Sequence, residues 1–88
     1  MSMTIKRRIE TISYLLNLEA RPNGSNYNWS PTTREGHKIS LYYDVSRPEY
    51  QLDSVEAYDP SGHLGLPTSH DVAGIGIMDL PKYFPRYR

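Results

Sequence analysis

The chain reads as an α+β fold, with one N-terminal amphipathic helix packed on a three- to four-stranded, mainly antiparallel sheet. Three observations predict it. Ile5, Ile9, Ile12 and Leu16 recur at helical spacing near the start. Lys38 to Val45 alternates strictly, with Ile39, Leu41, Tyr43 and Val45 on one face and Ser40, Tyr42 and Asp44 on the other. After it come further strand-like segments separated by turn residues, and no second helical stripe.

The helix is expected from Thr4 to about Ala20. Thr4 suits an N-cap, Leu15 and Leu18 widen the apolar stripe, and Arg21-Pro22 should end it because the residue before proline avoids the α region. Lys6, Arg7 and Arg8 fall in its first turn, where the macrodipole disfavours cations by a few tenths of a kcal/mol each, a placement that an anionic partner would explain. Asn23 to Asn26 is a turn cluster. Tyr27 to Trp29 supplies a short strand that can pair with Lys38 to Val45, and residues 30–36 form a loop long enough to project. Trp29 is read as core, since one tryptophan and one phenylalanine must fill the interior.

Lys38 to Val45 is the central strand. Ser46 to Glu49 then connects to a returning strand from Tyr50 to Tyr58. The phase of that strand breaks, because Tyr50 and Leu52 share one face while Val55 and Ala57 share the other. A bulge near Asp53-Ser54 would restore burial to all four. Asp59-Pro60-Ser61-Gly62 is a strong turn, and His63 to Pro67 reads as an edge strand. Thr68 to Asp71 offers a single helical turn. Val72 to Met78 reads as a strand whose glycines admit another backbone, and an irregular basic aromatic tail covers residues 81–88.

The bounds are those of one small domain spanning 1–88. Its 88 residues lack cysteine, which excludes disulfides, thiolate metal sites and a cysteine nucleophile. The absence of an apolar leader or membrane-length run leads to a soluble, cytoplasmic expectation with no membrane partner. Ten basic and ten acidic residues cancel, but unevenly: residues 47–81 carry −5, whereas residues 1–21 carry +2 and residues 82–88 carry +3. A neutral total argues against duplex DNA, whose affinity is dominated by phosphate neutralisation.

His37, His63 and His70 fit no metal-ligand spacing, neither Ser61 nor Ser69 sits in a nucleophile elbow, and Gly74-Ile75-Gly76 lacks the rest of a dinucleotide fingerprint. The expectation is therefore a protein that is not an enzyme and uses no metal or cofactor. Tyrosine stands out, at eight residues against one phenylalanine. Tyrosine gives large contact area at low entropy cost, so Tyr42, Asp44, Tyr50, Glu56 and Tyr58 are the candidate residues for binding a protein of basic character. The alternative is single-stranded nucleic acid, held by Lys6, Arg7 and Arg8 at the helix start and by Lys82, Tyr83, Arg86, Tyr87 and Arg88 in the tail. Small, cysteine-free, tyrosine-rich, neutral α+β domains of this type resemble stand-alone inhibitors and immunity-type proteins of phages and mobile elements. That resemblance implies a partner protein and no catalysis.

Overall fold

A helix, α1 (Ile5–Leu16), and a short C-terminal helix, α2 (Leu80–Tyr83), lie on one face of a five-stranded sheet. A computed structural model describes residues 4–66 and 72–86. The strands are β1 (Arg21–Asn23), β2 (Asn26–Trp29), β3 (Ser40–Asp44), β4 (Ser54–Tyr58) and β5 (Val72–Gly76). They are ordered as in the sequence, every neighbouring pair is antiparallel, and β3 is central as expected. The strand count exceeds the expected three to four, and α2 was not foreseen.

Thr4 caps α1 by accepting a 3.1 Å hydrogen bond from the Arg7 amide. The helix ends at Leu16 rather than near Ala20 because Asn17 adopts the left-handed conformation, with φ 55°. The amides of Asn17 and Leu18 then donate to the carbonyls of Tyr14 and Ser13, satisfying orphan acceptors before Pro22 can act. Residues 17–20 then lead into β1, which pairs with β2 through a two-residue turn whose first residue, Gly24, has φ 62°.

Ile12 and Leu16 from α1 meet Trp29, Ile39, Leu41, Tyr43, Val55, Ala57 and Ile75 from the sheet side, with Ile77, Leu80 and Phe84 closing the core. Trp29 is core, as expected, and its indole N–H donates to Ser13 Oγ at 3.1 Å. Arg8 is buried as well and donates to the Tyr43 hydroxyl at 2.6 Å, which ties the helix to the central strand. Ile5, the first residue of the expected stripe, is 36% exposed.

Residues 30–36 do not project. Pro31 and Thr33 are buried, Thr32 bridges to Lys38, and the Arg34 amide and guanidinium bond the carbonyls of Tyr83 and Pro81. Between β3 and β4 no bulge forms. Pro48–Tyr50 is a 3-10 turn, β4 begins only at Ser54, and Tyr50 and Leu52 stay exposed while Val55 and Ala57 are buried. The turn at Asp59 to Gly62 forms, with Gly62 donating to the Asp59 carbonyl. His63 to Leu66 is a second turn rather than an edge strand, because Gly65 has φ 65° and donates to Gly62. The strand expected from Val72 to Met78 stops at Gly76. A Cβ on Gly74 would meet only Ser54 Oγ, at 3.9 Å, so no second backbone approaches there. Within the tail, residues 80–84 are ordered by the Phe84 amide bonding the Leu80 carbonyl. The expected turn at Thr68 to Asp71, together with Tyr87 and Arg88, lies outside the described residues.

Candidate functional site

The helices cover one face of the sheet and leave the other open, so the alternation of β3 decides which side chains the open face presents. Strand register places Arg21, Asn28, Tyr42, Glu56 and Gly74 in one row across all five strands. The neighbouring row holds Ser40, Tyr58 and Val72. Asp44 lies two residues beyond Tyr42, opposite Asn26.

At the Asp44 end, the pairing of β3 with β4 stops at Tyr42 and Glu56, although β4 runs on from Ser54, and β3 would lack a partner there. Gln51, buried to 1% exposure, fills the gap. Its side-chain carbonyl accepts from the Asp44 amide at 2.7 Å and its NH₂ donates to the Tyr42 carbonyl at 3.3 Å. One amide side chain thus replaces the bonds that β4 does not make there, and the segment that carries it brings Arg47 and Tyr50 to the recess. Tyr42, Asp44, Arg47, Tyr50, Gln51 and Glu56 enclose a recess of about 370 Å³. Tyr42 also lines a second recess of about 410 Å³ with Arg21, Asn28, Ser40 and Tyr58, so its ring is the wall between the two.

Burial, then the hydrogen bond to Glu56 and that carboxylate's charge, pushes the Tyr42 hydroxyl up to about 12. The phenol is therefore a fixed donor to Glu56. Hydrogen bonds from the Ser46 hydroxyl and amide hold the Asp44 carboxyl below its usual range. The Arg47 guanidinium lies 4.6 Å from the centre of the Tyr50 ring and lowers the Asp44 carboxyl further by its charge. Two carboxylates against one guanidinium leave the recess with a net negative charge.

Four of the five residues expected to bind protein therefore share one recess, and Tyr58 flanks Tyr42 on the diagonal. Tyr50 arrives from the 3-10 turn and not from a strand. Arg47 and Gln51 were missed. Gln51 could have been suspected, since it shares a face with Val55 and Ala57 if the strand phase runs back unbroken.

Among the described residues, those of the nucleic-acid alternative do not form one surface of free cations. Arg8 is committed to the core. Lys82 pairs with Asp79 at 3.4 Å. Arg86 folds back on α1, where its Nε donates to the Tyr14 carbonyl at 2.8 Å and its guanidinium lies 4.7 Å from the Tyr14 ring centre. Tyr83 is half-buried, while Lys6 and Arg7 are exposed. His37 and His63 stack at 3.6 Å between ring centres, joining the β2–β3 loop to the turn after β4. Among the described residues, no three metal-ligating side chains converge, and no helix is long and apolar enough to cross a membrane.

Compared with protein-family models, curated proteins and solved structures, the chain matches none.

Proposed function

We propose that this protein is a non-catalytic protein-binding module, of the stand-alone inhibitor or immunity type known from phages and mobile elements, whose open sheet face engages a partner bearing basic side chains. The observation that carries the reading is the recess between Tyr42, Asp44, Tyr50 and Glu56. It joins aromatic walls to an excess of negative charge, a combination suited to a lysine or arginine that keeps its apolar stem against a ring and its head near a carboxylate. Such anchors at the centre of an interface typically cost 2 kcal/mol or more on truncation.

Capture from a cell lysate with and without nuclease tests it. Retention of one protein that survives nuclease, and whose affinity falls about 30-fold or more in Tyr42→Ala, supports the reading. Retained RNA or DNA that is released by nuclease, with affinity falling steeply with salt and dependent on Arg7 and Arg86, would replace it with the nucleic-acid alternative.

A further inference from the structure

The sheet has two edges, and they are built differently. At β1, the two-residue turn makes Asn23 and Asn26 the closing hydrogen-bonded pair, so Arg21 also faces β2 and Pro22 faces outward. Pro22 has no amide to offer and Arg21 is charged, so this edge carries two of the devices that block strand addition. At β5, the Ile77 amide donates to the Asp53 carbonyl at 2.9 Å, which fixes the phase of the β4–β5 ladder. Ile75 and Ala73 then bond to Val55 and Ala57, and the amide and carbonyl of Gly74 point away from the sheet. Among the described residues, the edge from Ala73 to Gly76 has no proline and no charge, and Gly74 is exposed.

Gly74 also closes the open-face row beside Glu56. With no side chain at Gly74, nothing in that row screens the Glu56 carboxylate from the edge. Glu56 accepts from Tyr42, has no cation in an ion pair among the described residues, and keeps unused acceptor positions. An added strand would lie about 10 Å, two strand spacings, from β4. A long basic side chain placed opposite Gly74 spans that gap by lying over the glycine.

The geometry points to β5 as the edge on which an extended segment of the partner protein adds as a sixth strand, with an arginine or lysine opposite Gly74 reaching Glu56. This rests on the protein-binding reading and specifies how the partner is held: backbone bonds supply affinity and the basic residue sets register.

The test selects short random peptides from a display library on the intact protein. The expected winners alternate β-branched residues and carry one basic residue. Gly74→Pro, which removes an outward amide and no ladder bond, should weaken them about tenfold. Glu56→Gln should abolish the preference for a basic residue. Because Gly74→Pro could disturb β5, amide exchange is also read on the unaltered protein, where a selected peptide should slow the Gly74 amide about tenfold or more. No enrichment, winners without a basic residue, or an unprotected Gly74 amide would overturn the proposal. So would Gly74 protection that rises with protein concentration alone, which would assign the edge to a second copy. Winners that ignore Gly74→Pro but fail on Tyr42→Ala would remove the edge and keep the recess. Winners that need Gly74 and ignore Tyr42→Ala would keep the edge and remove the recess.

Discussion

Replacing Gln51 tests both the fold and the recess, because one buried amide completes the central strand where its pairing with β4 stops. Gln51→Leu keeps most of the volume and removes both bonds, leaving the Asp44 amide and the Tyr42 carbonyl without their partner. A sealed, unpartnered backbone group costs about 1–3 kcal/mol. Tyr42 and Asp44 are themselves half-buried, so water reaches part of this region and the lower end applies. The expected total is about 2–3 kcal/mol, against about 4–13 kcal/mol for a whole domain of this length. Urea unfolding should show a lower midpoint at unchanged slope, and the melting temperature should fall by about 10–20 °C. The Asp44 amide should exchange faster than those of Leu41 and Tyr43. A loss below about 0.5 kcal/mol, within the range of ordinary surface changes, would refute the stand-in role.

Gln51→Glu sharpens the test through pH. The carboxylate can still accept from the Asp44 amide, but when ionised it faces the Tyr42 carbonyl with no proton to donate. Burial and that carbonyl raise its folded pKa above the ordinary value of about 4.3. The stability linked to its proton is therefore fully present below the ordinary value and is lost as pH rises through the raised one. The variant should approach the parent in acid and fall away toward neutrality.

Ile12→Ala and Leu41→Ala, both at fully buried positions, should each cost about 2–5 kcal/mol in chemical denaturation, and under 1 kcal/mol for both would sink the helix-on-sheet packing. Tyr43→Phe should cost about 1.5–3 kcal/mol by stranding the buried Arg8 guanidinium, whereas adding Arg8→Met should recover much of the loss; a strictly additive double-mutant cycle would deny the coupling. Tyr42 should ionise near pH 12, above the ordinary tyrosine value of about 10, and Glu56→Gln should lower that midpoint in tyrosinate absorbance. Its contribution to stability is fully present below the ordinary tyrosine value of about 10 and is lost as pH rises through about 12, so Tyr42→Phe should weaken the alkaline destabilisation.

Periodic features were legible in the sequence and punctuation was less so. The stripe through Ile12 and Leu16 and the alternation through Leu41 and Tyr43 read correctly because burial of one face enforces them. The end of α1 was misread because Pro22 was given the stop, whereas Asn17 could enter the left-handed region and release the chain sooner. That early release made room for β1, whose three exposed residues leave no hydrophobic trace. The segment at α2 was hidden by Pro81, which reads as a helix breaker but sits in the first turn, where its missing amide costs nothing. Arg8 looked like part of a basic cluster at the helix start, and its partner, the Tyr43 hydroxyl, lies 35 residues away across the core.

The site was legible where it lies on β3 and illegible where it does not. Alternation alone put Tyr42 and Asp44 on the open face, but the same reasoning sought to bury Tyr50 and Leu52 with a bulge. Burying them would have kept β4 paired with β3 beyond Tyr42 and left no gap for Gln51 to fill. The chain instead turns at Pro48 and leaves Tyr50 and Leu52 exposed, and the polar Gln51 between them is buried. Leaving two large apolar side chains in water forgoes roughly 1.5–3 kcal/mol each, which the Gln51 hydrogen bonds and the stacking of Arg47 on Tyr50 offset only in part. A small domain that accepts such a loss beside its central strand retains apolar and aromatic surface that a partner can cover, which supports the proposal of a contact surface at the Tyr42–Tyr50 recess.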